Sequence, residues 1–149
     1  MAANTSPIFS LTPNVGQVTI TQTAANTSSA GGGTVGTDIF KVFTSGANGS
    51  FAQRIRFMSV ATAPTTGVAT TLRIFLSTVG SGSTTAADTF LIGEISVPAI
   101  ASDNSTNATN YYDFIVNSAL PTGMFILVTQ HVAQTANQNW VATAFGGDY

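Results

Sequence analysis

Side chains able to do acid–base, nucleophilic or metal chemistry are scarce in this chain. It has one histidine (His131), one lysine (Lys41), one glutamate (Glu94) and no cysteine. The other carboxylates, Asp38, Asp88, Asp103, Asp113 and Asp148, are scattered singly. A nucleophilic triad needs a serine or cysteine activated by histidine and an acid that orients the ring. No serine here stands in a Gly-x-Ser-x-Gly elbow. One histidine without cysteine is a poor zinc site. Glycoside hydrolysis needs two carboxyls facing each other across a cleft, and the spacing of these acids gives no reason to expect such a pair. Their expected use is pairing with Arg54, Arg56 or Arg73 across neighbouring strands. No catalytic, cofactor-binding or metal-ligating residue is therefore assigned, and the chain is expected not to be an enzyme.

Two further patterns resemble sites in their letters alone. Gly31-Gly-Gly-Thr-Val-Gly36 satisfies the dinucleotide fingerprint GxGxxG. That fingerprint must follow a strand and open a helix whose N-terminus meets the pyrophosphate. Here an Asn/Thr/Ser loop precedes it and a strand pattern follows, so a loop is expected. Sequons begin at Asn4, Asn26, Asn48, Asn104 and Asn107, as chance supplies in a chain rich in Asn, Ser and Thr. Trp140, Tyr111, Tyr112 and Tyr149 would suit sugar stacking if exposed, but aromatics on strands usually enter a core.

The elements that must position these residues are short β-prone runs bounded by Gly, Asn, Ser, Thr or Pro. Strands are expected over residues 8–11, 17–23, 38–44, 53–61, 70–77, 89–97, 111–116, 124–132 and 139–145. No segment carries a sustained apolar stripe of helical period, so essentially no helix is expected. Alternation puts Arg54 and Arg56 on one face and Ile55 and Phe57 on the other. It likewise sends Leu72, Ile74 and Leu76 inward, with Arg73 and Phe75 outward. Tyr112, Phe114 and Val116 read as buried, with Asp113 on the open face. Residues 124–128 do not alternate, as befits a central strand buried on both faces. The connectors are turn-rich, most sharply at Asn48-Gly49 and Pro121-Thr-Gly123. This pattern predicts a single-domain, antiparallel, all-β sandwich of jelly-roll-like type with a short N-terminal arm. Residues 1–16 form the arm and a first short strand, and residues 17–149 the sandwich.

Bulk composition narrows the function further. At 149 residues the chain suits one domain with a core that needs neither disulfide nor metal. Its formal net charge is −2 and its four cationic residues cannot build a basic stripe, so no nucleic-acid binding is expected. The first residues show neither a basic region nor an apolar run, so no secretion signal is expected. The densest apolar run, 124–128, is far short of a membrane span, so no membrane partner is expected. Only 7% of residues are charged while 44% are hydrophobic. A free surface is normally kept charged, and interface cores are depleted of charge. Part of this surface is therefore expected to lie against partners.

Several stretches together resemble a family. They are Thr19-Ile-Thr, Thr44-Ser-Gly-Ala-Asn-Gly-Ser50, Arg54-Ile-Arg56, Arg73-Ile-Phe-Leu, Glu94-Ile-Ser-Val-Pro98 and the terminal Ala144-Phe-Gly-Gly-Asp-Tyr149. From about Gln17 to the end the chain is similar to small structural proteins of tailed bacteriophages, the terminal motif being the most specific piece. The resemblance implies a β-sandwich that attaches outside a capsid, often as a trimer, and reinforces it. The expected function is thus that of a capsid decoration, or cement, protein. Its partners would be the major capsid protein and two further copies in a homotrimer, and its location the outer surface of the virion. The alternative is a tail-fibre or receptor-binding module that contacts host glycans. The candidate interface residues are Ile8, Phe9 and Leu11 of the arm, as apolar anchors, and Phe145, Gly146, Gly147, Asp148 and Tyr149. In the latter group the glycines allow close backbone approach and the aromatics supply contact area.

Overall fold

The computed structural model describes residues 10–102 and 111–149. Eight long strands carry the fold: β1 (Thr12–Ile20), β3 (Phe40–Thr44), β4 (Ser50–Ala61), β6 (Thr70–Ser77), β8 (Thr89–Val97), β10 (Tyr111–Leu120), β11 (Phe125–Gln130) and β12 (Gln138–Asp148). Four two-residue strands, β2 (Gly33–Thr34), β5 (Thr65–Thr66), β7 (Ser83–Thr84) and β9 (Ala101–Ser102), pair as β2–β7 and β5–β9. No helix occurs among the described residues.

The long strands form two four-stranded antiparallel sheets, ordered β1-β12-β4-β10 and β3-β11-β6-β8. Among them the chain changes sheet at every step except the hairpin from β6 to β8. This strand order is the jelly-roll connectivity, two interleaved Greek keys. The expected fold class is therefore found. Strands β6 and β8 start and end where alternation and turn residues place them. In contrast, β1 begins at Thr12, ahead of the expected start at 17, so residues 12–16 belong to the sheet. Pro13, Asn14 and Gly16 disguise this stretch because they are depleted in strands. Each is tolerated for a local reason. β1 is an edge strand, where proline's missing N–H costs little. Asn14 Nδ2 donates to Asp148 Oδ1 at 2.7 Å and to the Thr44 carbonyl at 3.0 Å. The position of the third residue, Gly16, requires a glycine, because its backbone lies against Val42 of β3.

Inward-facing side chains of both sheets make the main core, including Ile20, Phe43, Ile55, Phe57, Leu72, Ile74, Ile126 and Trp140. Arg54 and Arg56 flank Ile55 on the opposite face, as expected, and β11 is the buried central strand that its unbroken apolar run predicts. Tyr112, Phe114 and Val116 face the core but are half-buried, since β10 is a sheet edge.

Phe75 points away from the main core, as expected, yet it is fully buried. Val35 and Ile39, from the segment before β3, close over Phe75, Leu127 and Phe125 to make a second small core. Burying a phenylalanine contributes roughly 1.5–3 kcal/mol, enough to hold such a cover in place. Polar contacts complete the attachment. Arg73 Nη1 donates to the Asn26 carbonyl at 3.2 Å, and Thr84 Oγ1 donates to the Gly31 carbonyl at 2.7 Å. The glycine-rich loop that imitates a dinucleotide site is thus a cap over the β3-β11-β6-β8 sheet, followed by a strand and not by a helix.

Candidate interaction surface

Covering one sheet leaves the other open. On the outer face of β1-β12-β4-β10, period-two alternation presents Val15, Met58, Val60, Tyr111, Ile115, Val141 and Phe145 among polar neighbours. Val15 is 61% exposed and Tyr111 and Ile115 are each 58% exposed, high values for such side chains on strands. Isolated exposed apolar residues need no explanation, but a group sharing one sheet face marks a contact surface.

The charges on this face are compensated in part within it, since Arg54 and Arg56 share the single carboxylate of Asp113. Arg56 holds Asp113 with a two-pronged contact, Nε to Oδ1 at 2.8 Å and Nη2 to Oδ2 at 2.7 Å. Arg54 Nη1 approaches the same carboxylate at 3.8 Å. The hydrogen bond from Arg56, aided by both guanidinium charges, holds the Asp113 carboxyl below its ordinary range despite partial burial. Both guanidiniums also lie over aromatic rings. Arg56 Cζ is 4.3 Å from the Tyr111 centroid and Arg54 Cζ is 4.8 Å from that of Phe145. Covering Arg56 and Asp113 would desolvate a paired charge rather than lone ions, whereas Arg54, 3.8 Å from the same carboxylate, leaves one positive charge in excess.

At one end of the face is a groove of about 350 Å³ lined by Ser10, Val15, Phe51, Gln53, Phe145, Gly146 and Gly147. Val15 and Phe145 are register partners, as are Phe51 and Gly147, so the groove lies where a row of side chains is interrupted by glycine. A Cβ at Gly147 would stand 2.5 Å from Ser10 Cβ, which places the Ser10 side chain over that gap.

The candidate terminal residues divide accordingly. Phe145 and Gly147 line the groove. Gly146 also borders it, but a side chain there would point inward, toward the Phe51 carbonyl and the Phe43 ring. Asp148 turns inward and accepts hydrogen bonds from Ser50 Oγ and Asn14 Nδ2, which lower its pKa. It therefore brackets β1, β4 and the turn before β4 within its own protomer. The Tyr149 N–H donates to the Gly49 carbonyl at 3.2 Å. Leu11 is 82% exposed, with its N–H donating to the Asp148 carbonyl at 2.7 Å. Ile8 and Phe9 lie outside the described residues. Val15, Phe51 and Ile115 did not stand out as candidates in the sequence, and Tyr111, weighed there only as a stacking ring, is 58% exposed. The alternation of Tyr111, Asp113 and Ile115 against Tyr112, Phe114 and Val116 was the signal that set them on one face.

Several titratable groups among the described residues are engaged in structural contacts. Arg73 Nε donates to Glu94 Oε1 at 2.6 Å, and its Nη1 lies 3.1 Å from His131 Nδ1. A guanidinium only donates, so Nδ1 accepts and the imidazole proton resides on Nε2. Asp88 accepts from the Thr85 N–H and hydroxyl, which hold its carboxyl below the ordinary range. Asp38 accepts from Thr34 N–H and Asn26 Nδ2. Among the described residues no three His, Cys, Asp or Glu side chains cluster as a metal site would require. Trp140 is 1% exposed and packs against Tyr112 with ring centroids 6.0 Å apart. Both therefore serve the core rather than a glycan platform.

No family model and no curated protein matches this chain. Among solved structures, it is similar to dimeric latent PorU from Porphyromonas gingivalis at 14% identity and a TM-score of 0.34. The alignment covers 97% of this chain but only 14% of that one, and a likeness at this level carries no argument about fold or function.

Proposed function

We propose that this chain is a capsid decoration protein of a tailed bacteriophage, bound to the outside of the assembled head and acting by contact alone. The observation that carries this reading is the open β1-β12-β4-β10 face, where exposed apolar side chains stand among polar ones and Arg56 is paired to Asp113. The resemblance of the chain from Gln17 onward to phage structural proteins supplies the viral context. Its partners are the major capsid protein and two further copies in a ring. The mechanism is linkage. A component that binds only the assembled shell stabilises it by mass action, and symmetry-related copies multiply the effect. A closed three-fold ring would use one interface three times and leave no unsatisfied patch.

Undecorated shells mixed with purified protein test the reading. The wild type should co-sediment with them to a fixed stoichiometry and raise their disruption temperature. Introducing a charge on the β10 side of the face with Ile115→Lys, and removing the ring with Tyr111→Ser, should leave the domain folded and weaken shell binding at least about tenfold, or about 1.4 kcal/mol. Equal occupancy by this variant would remove the face from the proposal. Failure of the wild type to bind shells would end it.

A further inference from the structure

We propose that Arg54 is the recognition point for a carboxylate of the protein that covers the open face, with an apolar side chain beside that carboxylate entering the groove next to Phe145. The inference rests on the decoration reading and names the chemistry of the partner's side. Register sets the two arginines apart. Arg56 stands directly opposite Asp113 and takes both of its oxygens, whereas Arg54 stands opposite Ile115. Arg54 reaches the shared carboxylate only on the diagonal, with Nη1 at 3.8 Å, beyond hydrogen-bond range. Its Nε is buried without a hydrogen-bond partner. One positive charge with donors left over therefore stands in the cross-strand row Val15, Phe145, Arg54, Ile115, apolar on both sides. The Phe145 ring holds the guanidinium, with Cζ 4.8 Å from its centroid. The same ring is a wall of the groove of about 350 Å³ that Val15 and Phe51 also line.

Charge decides the occupant. Among the described residues every carboxylate side chain is already engaged inside its own protomer. Asp38 is held by Thr34 and Asn26, Asp88 by Thr85, Glu94 by Arg73, Asp113 by Arg56, and Asp148 by Ser50 and Asn14. A second copy could offer one of these only by breaking a contact of its own. A phosphate-rich surface does not fit either, because it selects several cations together and this face carries one in excess. What fits is an aspartate or glutamate of the shell flanked by apolar residues. The guanidinium fork matches a carboxylate with two parallel hydrogen bonds, which strengthen once water is excluded. A partner without the acid would instead bury a lone cation, a cost that rejects wrong surfaces.

Co-sedimentation of the full chain with undecorated shells, from about 0.05 to about 0.3 M salt, provides the test. Arg54→Gln should fold as the wild type does and bind at least about tenfold more weakly at the lowest salt. The gap between the two should shrink as salt rises, which a purely structural defect would not produce. Arg54→Lys, which keeps the charge and loses the fork, should recover part of the loss. Glutamine binding equal to wild type would overturn the inference and leave the decoration reading standing. A gap that ignores salt, or a lysine variant no better than glutamine, would overturn it as well. Sedimentation without shells covers the remaining occupant: a change of oligomeric state in Arg54→Gln would assign the site to a second copy and overturn the proposal. Failure of the wild type to bind any shell would end both readings, and that outcome alone touches the first.

Discussion

Gly16 of β1 lies directly against the backbone of Val42 in β3: a Cβ at position 16 would stand 1.8 Å from the Val42 carbonyl oxygen. The edges of the two sheets meet here backbone to backbone, and neither backbone can yield as a side chain does. Gly16→Ala should destabilise the fold by about 1–3 kcal/mol, the range for overpacking. At this chain length that corresponds to roughly 2–4 °C in Tm per kcal/mol. A Cβ at Gly147 would stand 2.5 Å from Ser10 Cβ and 3.0 Å from the Thr12 carbonyl oxygen, a milder clash, so Gly147→Ala should cost less, a ranking that thermal unfolding of the two variants checks.

Acid sensitivity should follow the aspartates. Asp148, Asp113 and Asp88 all have folded-state pKa values below the ordinary range, each chiefly through hydrogen bonds from neighbours. A depressed folded pKa contributes stability that is present above the unfolded value near about 3.9 and is lost as pH falls through the folded one. Urea unfolding should therefore show stability declining below about pH 4. Asp148→Asn should be less stable than the wild type at neutral pH, and the gap should narrow as the pH falls through that window. A gap constant from pH 7 to pH 2 would contradict the bracketing role of Asp148.

Arg73 fastens the cap over the covered sheet. It bonds Glu94, the Asn26 carbonyl and His131 from a nearly buried position. Arg73→Met should cost about 1.5–3 kcal/mol, the range for hydrogen bonds to a charged group. Hydrogen exchange should accelerate first in residues 26–39, which lose an anchor, and least in β12 on the other sheet.

The single tryptophan offers a direct readout of the core. Trp140 is 1% exposed, between the sheets. Native emission should be blue-shifted and move to the red on unfolding in one transition coincident with loss of β-sheet circular dichroism, as for a cooperative domain of this size. Trp140→Phe should destabilise through the cavity it leaves, by about 1–3 kcal/mol, with the sheet signature retained.

Much of the architecture is legible because strands announce themselves by alternation and by the residues that end them. Thr70–Ser77 and Thr89–Val97 could be bounded to the residue, and the double burial of β11 follows from a run with no polar alternate. The start of β1 was hidden, because Pro13, Asn14 and Gly16 are acceptable only given an edge position, a bond to Asp148 and the nearness of Val42. Phe75 was assigned the correct side of its strand and the wrong environment. Alternation reports direction, and only the path of residues 26–39 decides whether that direction leads to water.

The same division holds for the candidate surface. Composition by itself determined that this chain has few groups with which to make or break bonds, since no folding can add ionisable side chains to a sequence that lacks them. Period-two patterning determined that Tyr111, Asp113 and Ile115 share a face. Tertiary structure decided that this face stays open while its counterpart is capped, that Arg56 neutralises Asp113 across strands, and that Phe145 borders a groove while Asp148 turns inward. Those outcomes depend on which segments meet in space. Such meetings are set by packing energies summed over the whole fold, which a local window of sequence does not contain.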